Sequence, residues 1–414
     1  MIRNASHVGR LLVTRGLRAF GDGYVSLLLP AYLIDLGLSP LEVGVVATTT
    51  LLGSGILTLG VGLGAHRYHY RTVLLAAAML MAATGIGFAS FSGFWPLLVV
   101  AFVGTLNPSS GDVSVFLPLE HAVLSRLVDD RQRTAAFARY SLVGSLVAAV
   151  GSLAAGLPPL AAGALGVSPR AAMQAMFVLY ALLGCVAAIV YRGLPRALAA
   201  DAHARPAPLG EARRKVYALA ALFSLDSFGG GFVVQSMVAL WLYQRFELSL
   251  AAAGSLFFWT GALSALSYLV AVRIAGRIGL VNTMVYTHLP SSLCLVAIPF
   301  MPALAPVIAL LLVRAALSQM DVPTRSSYVM AIVPPAERAA AASITSVPRS
   351  LASAASPSLA GWLLGASAFG WPLVIGGALK IVYDLLLLTF FRNVRPPEEQ
   401  APAPRAPPPG AGRA

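Results

Sequence analysis

The sequence predicts an all-α polytopic membrane protein, with twelve transmembrane helices in two pseudosymmetric six-helix bundles. Three observations carry that expectation. The 414-residue chain is 58% hydrophobic and only 11% charged, whereas a soluble chain carries roughly 25% charged residues. Apolar segments recur from end to end, and at about 20 residues each is long enough to cross a bilayer. The two halves of the chain also resemble each other. Helix is the expected form because lipid offers backbone amides no partner outside their own segment.

In order, the expected spans are 14–36, 42–64, 72–92, 96–124, 134–157, 171–191, 216–243, 251–273, 280–300, 303–333, 338–365 and 371–391. Arginines punctuate them. Arg3, Arg10 and Arg15 precede or open the first; Arg67 and Arg71 separate the second and third; Arg126, Arg131 and Arg133 separate the fourth and fifth. Arg192, Arg196, Arg205, Arg213, Arg214 and Lys215 fill the connection between the sixth and seventh spans. Arg273 and Arg277 follow the eighth, Arg338 opens the eleventh, and Arg392 and Arg395 follow the last; only Arg170 and Arg245 fall on the other side. An excess of basic loop residues marks the cytoplasmic face, so both termini are expected in the cytoplasm and the protein in the cell inner membrane. The domain expectation is an N-terminal six-helix bundle over 1–191, a cytoplasmic linker over 192–215 and a C-terminal bundle over 216–393. The Pro- and Ala-rich tail over 394–414 is expected to be disordered.

The net charge of +13 does not point to nucleic acid, because the arginines sit in short loops and no basic stripe alternates with aromatics. Cys185 and Cys294 lie in different apolar segments and read as small fillers. No pair of cysteines has metal-ligand spacing, and neither a metal nor a cofactor is expected. The basic N-terminus leads into continuing spans without a convincing cleavage site, so no cleavable signal peptide is expected.

The internal repeat is legible in two places. Phe20-Gly-Asp-Gly-Tyr-Val25 pairs with Phe228-Gly-Gly-Gly-Phe-Val233 at a shift of 208, and Ser141–Gly156 pairs without gaps with Ser346–Gly361 at a shift of 205. The latter shift also places Pro118 on Pro323 and Arg133 on Arg338. Parallel six-helix halves joined by a central linker are a transporter architecture. Between the second and third spans the chain reads Gly62-Leu-Gly-Ala-His-Arg-Tyr-His-Tyr-Arg71. This resembles the G-x-x-x-D-R-x-G-R-R loop of the major facilitator superfamily, with Arg67 and Arg71 retained, His66 at the acid and His69 at a glycine. The second-half copy keeps Arg277 and Gly279. The resemblance covers essentially residues 10–393. It implies the superfamily fold, alternating access to a central cavity, and a cytoplasmic gate containing Arg67, Arg71 and Arg277. Span 5 carries Gly144, Gly151 and Gly156 but lacks the Gly-Pro pair of the antiporter signature; Ser356–Gly361 in span 11 is a loose echo of it.

Ionisable side chains inside the spans are the candidate functional residues. A charge at mid-bilayer costs about 2.5–3.5 kcal/mol on insertion scales, and such groups face a cavity or a partner. Arg18 and Asp22 lie four apart, hence on one face of the first helix. In the repeat, Asp226 matches Arg18 and Gly230 matches Asp22. Two readings stay open: Arg18 pairs with Asp226 across the seam between the halves, or Arg18 snorkels with Asp22 as its static partner. Spans 4 and 10 show a similar inversion, Glu120 matching Arg325 and Phe116 matching Asp321. Asp321 and Arg325 are spaced for a pair on one helical face, and Pro323 between them is expected to free a carbonyl and bend the helix. Arg349 reaches about 18 Å into the eleventh span and needs a partner, for which Glu120 and Asp321 are candidates. Lys380 and Asp384 read as a structural pair. His121 reads as a satisfied interfacial histidine, with proton relay the alternative because an imidazole titrates near neutral pH.

Asp22, Glu120, Asp226 and Asp321 are therefore the expected proton-coupling residues, with Arg18, Arg314, Arg325 and Arg349 as their charge partners. Tyr24, Asp112, Phe116, Tyr140, Phe232, Gln319 and Tyr328 are expected on the wall of a substrate cavity. Gly21, Gly23, Gly229, Gly230 and Gly231 are expected to let the first and seventh helices flex. Together with the resemblance, these residues point to a monomeric secondary active transporter of a drug, metabolite or organic ion. Protons are the expected coupling ion, and efflux is favoured over uptake. An enzyme is disfavoured, since no metal-ligand cluster, nucleophile elbow or phosphate loop appears in the sequence. A lipid translocase or a non-transporting receptor on the same fold stays open.

Overall fold

The computed structural model describes residues 2–64, 69–109, 114–128, 130–195, 210, 213–334 and 337–392. Most of the expected linker and all of the expected tail lie outside them. The first six spans are α1 (Ile2–Asp35), α2 (Pro40–Gly64), α3 (Tyr70–Ser90), the pair α4 (Phe94–Val103) and α5 (Phe116–Leu127), α6 (Asp130–Ala154) with the short α7 (Leu157–Leu165) after it, and α8 (Pro169–Arg192). The second six are the pair α9 (Arg213–Gly231) and α10 (Gln235–Phe246), α11 (Leu250–Ile278), α12 (Leu280–Ala297), the pair α13 (Leu304–Ser318) and α14 (Asp321–Ala331), α15 (Arg338–Ala366) and α16 (Trp371–Phe391). Eight of these spans are long and apolar enough to cross a membrane by length and composition. Of the remaining four, the first is diluted by intramembrane charge, the fourth and tenth are interrupted by a break, and the eleventh is rich in serine with Pro348 and Pro357 inside it.

Three spans read as continuous in the sequence are divided, each for a local reason. In the fourth, Gly104, Asn107 and Pro108 end α4, and regular helix resumes only at Phe116; Pro withdraws an amide donor and restricts the residue before it. In the seventh, α9 runs out on Gly229-Gly230-Gly231, where the helix loses about 1 kcal/mol per Gly relative to Ala. In the tenth, Pro323 has no N–H to offer the carbonyl of Gln319, which instead accepts from Val322 at 3.4 Å. The helix divides there, between Ser318 and Asp321. Non-helical backbone at membrane depth is tolerated where protein or a water-filled hollow surrounds it. The Pro108 carbonyl accepts from Ser236 N at 3.1 Å, so the breaks of the fourth and seventh spans meet.

Packing repeats with the halves. In the first, α1 packs on α6 and α8, α3 on α8, and α2 on α4; in the second, α9 packs on α15 and α16, α12 on α16, and α11 on α13. Across the seam α1 meets α10 and α11, and the most extensive packing there is α2 with α15 and α6 with α11. Both crossings bring backbones close at the end of the bundle remote from the start of α1. A Cβ at Gly44 would lie 2.4 Å from the Pro357 carbonyl oxygen, and one at Gly361 2.3 Å from that of Pro40. Hydrogen bonds join the halves toward the same end. Ser358 donates through N at 2.9 Å and Oγ at 2.8 Å to Thr48 Oγ1, and Tyr243 OH donates to the Leu27 carbonyl at 3.0 Å. Gly44→Val forces these backbones apart, and we expect a loss of about 1–3 kcal/mol from overpacking, read as a lowered unfolding midpoint of the purified protein. An unchanged midpoint would show that the α2–α15 contact does not contribute to the folded state.

Candidate functional site

Two buried charge clusters stand in equivalent places, one in each half. In the first, Glu120 of α5 is fully buried and takes hydrogen bonds from four side chains on three other helices. Thr14 Oγ1 donates at 2.8 Å and Tyr191 OH at 2.6 Å, while Arg18 and Tyr140 donate to the other oxygen. The Arg18 guanidinium lies 4.2 Å above the centre of the Phe116 ring. Thr14 and Arg18 sit one turn apart on α1 and so face α5 together. Breaking such a pair by removing one partner is costly, because the other charge is left buried.

The second cluster is larger. Asp226 of α9 accepts from Arg325 at 2.9 Å and Lys380 at 2.8 Å, and His288 Nε2 lies 3.6 Å away. Arg325 also pairs with Asp321, one turn earlier on α14. His288 Nδ1 stands 3.0 Å from both oxygens of Asp384. A carboxylate only accepts, so Nδ1 is the donor and Nε2 is turned toward Asp226. The Arg325 guanidinium lies over Phe223 and Tyr383, at 4.9 and 5.6 Å from the ring centres. Asp226, His288 and Asp321 bring ligand atoms within 4.8 Å of one another, spacing that a metal ion would accept. However, a guanidinium and an ammonium already occupy those carboxylates, and a divalent cation would have to displace both.

A cavity of ≈ 500 Å³ lies on the seam, walled by α1 and α6 from the first half and by α9–α11, α13–α16 from the second. Asp226 and Lys380 belong both to the second cluster and to the cavity wall. Of the residues expected on the wall, Gln319 is there, its side-chain oxygen accepting from Tyr268 OH at 3.2 Å. Arg314 and Arg349 border the cavity too. The other expected wall residues that are described turn inward to their own bundles. Tyr24, Phe116, Tyr140, Phe232 and Tyr328 are all at most 4% exposed, and Tyr24 OH is spent on the Met176 carbonyl at 3.0 Å. Asp112 and Arg67 lie outside the described residues. Arg71, in the first turn of α3, donates to the Leu194 carbonyl at 3.3 Å, and Arg277 is exposed in the last turn of α11.

Three expected pairings are replaced. Arg18 and Asp226 do not meet across the seam, because each is held within its own half, by Glu120 and by Arg325 with Lys380. Lys380 and Asp384 do not pair along α16; they turn to Asp226 and His288. Arg349 makes no salt bridge to Glu120 or Asp321 among the described residues. The expected Asp321–Arg325 pair is formed. Asp22, one turn beyond Arg18, is 7% exposed. Sequence reasoning left out Lys380, His288 and Asp384 from the site, although each is an ionisable residue inside an apolar span, which was the available signal.

The Major Facilitator Superfamily family model matches residues 11–319 and 227–412. The uncharacterized membrane protein YJR124C of Saccharomyces cerevisiae is 25% identical over 413 residues, covering 91% of this chain and 92% of that protein. Among solved structures, a point variant of the nucleoside transporter NupG superposes with a TM-score of 0.76 at 14% identity, covering 93% of this chain and 100% of that one. A bacterial homologue of the human lysosomal transporter Spinster, inward-facing and occupied, gives 0.72 at 14% identity, with 93% and 95% covered. The human organic anion transporter MFSD10 gives 0.63 at 17%, with 93% and 99% covered. At such identities these structures establish the fold alone. With the family model spanning both halves, the chain belongs to the major facilitator superfamily of membrane transporters.

Proposed function

We propose that this protein is a proton-coupled secondary transporter that exports a small solute across the inner membrane, with both termini in the cytoplasm. Asp226 carries the reading, since it is both the hub of a buried charge cluster and part of the cavity wall. The groups around it come from four helices: His288 on α12, Asp321 and Arg325 on α14, Arg349 on α15, and Tyr383, Asp384 and Lys380 on α16. A proton taken up by Asp226 weakens its hold on Arg325 and Lys380, and Lys380 stands on the cavity wall. Loading of the cavity and loading of the carboxylate are thereby linked. Asp22, Glu120 and Asp321 are the further proton sites in this scheme, with Arg18, Arg314, Arg325 and Arg349 as the charges that exchange partners. Rocking of the halves about the α2–α15 and α6–α11 crossings supplies the alternation. The basic loops support a cytoplasmic start of α1, and on that reading this conformation is closed toward the periplasm. Arg71 and Arg277, at the cytoplasmic ends of α3 and α11, are proposed gate residues.

Flux of solute pools through proteoliposomes, with a pH gradient in either orientation, tests the proposal. Expected is extrusion from the alkaline compartment into the acidic one, with protons moving the other way, and collapse of the flux when the gradient is dissipated. Accumulation in the alkaline compartment would instead make the protein a proton-driven importer. Flux indifferent to the gradient would remove proton coupling.

A further inference from the structure

We infer that the central cavity receives a small organic anion, its carboxylate or phosphate group held by Arg314 and Arg349. This takes the cavity to be the solute site proposed above. The charged residues on its wall are Arg15, Arg314, Arg349 and Lys380 against Asp226, a clear positive excess among the described residues. Asp226 offers little to a solute, because Arg325 and Lys380 already engage both its oxygens.

Arg314, half-buried, and Arg349, exposed, differ from the buried Arg18 and Arg325. Arg18 has Glu120, and Arg325 has Asp226 and Asp321. Arg314 has no salt bridge among the described residues, and its Nε is buried without a hydrogen-bond partner. Arg349 also has no salt bridge among them, and its side chain is exposed in the cavity wall. At 1.5 Å per residue, Arg314 stands about 15 Å along α13 and Arg349 about 17 Å along α15. Both lie near the middle of a hydrocarbon core about 30 Å thick, too deep to reach the headgroups. A guanidinium at that depth needs a partner, and the fold leaves the site of that partner inside the hollow.

The geometry of the donor also limits the ligand. A guanidinium presents its N–H groups as a planar fork that fits carboxylate and phosphate. Facing it, α6 contributes Gly144, Ser145, Ala148 and Ser152, which are small and uncharged, and Phe257 of α11 adds an apolar surface. The body of the anion lies against these. A volume of ≈ 500 Å³ suits a metabolite-sized molecule. Amines meet like charge on the same wall.

Binding to purified protein tests the assignment without requiring flux. The protein is placed in phosphatidylcholine nanodiscs, and its unfolding midpoint is followed with benzoate, citrate or glucose 6-phosphate. Benzylamine, spermidine and glucose serve as matched probes, and nanodiscs doped with phosphatidic acid separate a lipid headgroup from a free solute. Expected is saturable stabilisation by at least one soluble anion, about tenfold to hundredfold weaker in Arg314→Gln and Arg349→Gln. Arg314→Lys should bind with intermediate strength, which shows that the site still folds. Arg245→Gln, at an exposed position on α10, should bind as the parent does. Stabilisation by amines in place of anions, by phosphatidic acid alone, or by none of the probes would overturn the assignment. Anion binding that survives both Gln variants would overturn it too. Anion binding without flux would spare this assignment and remove the transport reading; amine flux without anion binding would do the reverse.

Discussion

Asp226→Asn should abolish gradient-driven transport and lower the stability of the folded protein by about 3–5 kcal/mol, the usual consequence of removing one partner from a buried ion pair. Asp226 is 5% exposed and holds two cations, Arg325 and Lys380. The amide is nearly the same shape, so packing is preserved and the loss is electrostatic. Arg325 keeps Asp321, whereas Lys380 loses the one carboxylate it contacts among the described residues. The double variant Asp226→Asn, Lys380→Met should therefore regain most of the stability and none of the transport. Chemical unfolding measures the first quantity and proteoliposome flux the second. A single variant as stable as the parent would show that the two cations do not depend on Asp226.

Glu120→Gln should be comparably destabilising, by about 3–5 kcal/mol. The amide oxygen can still accept from Tyr191 and Thr14, but Arg18, whose side chain is 3% exposed, loses the carboxylate it is salt-bridged to. Adding Arg18→Met removes the stranded charge, and the double variant should be more stable than Glu120→Gln alone. The coupling expected for residues in direct contact, up to about 3 kcal/mol, is read from the complete double-mutant cycle. Additive losses would mean that the cluster is not held by this pair.

What the sequence disclosed follows from the range of its signals. Spans are set by local apolar length, so α3, α8 and α16 fall close to their expected limits. The divisions at Pro108, at Gly229–Gly231 and at Pro323 were signalled by residues that break helices, and only the last was read as a bend. Pairs along one helix are fixed by periodicity, and Asp321 with Arg325 formed as spaced. Pairs between helices depend on rotation and depth, which one sequence does not encode locally. Opposite charges at repeat-related positions therefore suggested an Arg18–Asp226 contact, although pseudosymmetry places the two residues in separate bundles. For the same reason Lys380 and Asp384 read as mutual partners, whereas α9 and α12 lie close enough to take one each. Aromatic residues gave the weakest guidance, because a tyrosine whose hydroxyl finds a carbonyl inside its bundle, like Tyr24, has the same sequence signature as one facing a cavity.

The link between Asp226 and the alternation of the two halves is tested most directly by electron–electron distances across the seam. Spin labels replace His69 at the start of α3 and Ile278 at the end of α11, both exposed, after Cys185 and Cys294 are changed to alanine. The parent should show two distance populations, and Asp226→Asn, in which Arg325 and Lys380 no longer share a carboxylate, should change their ratio. The same distance distribution in both proteins would contradict the account.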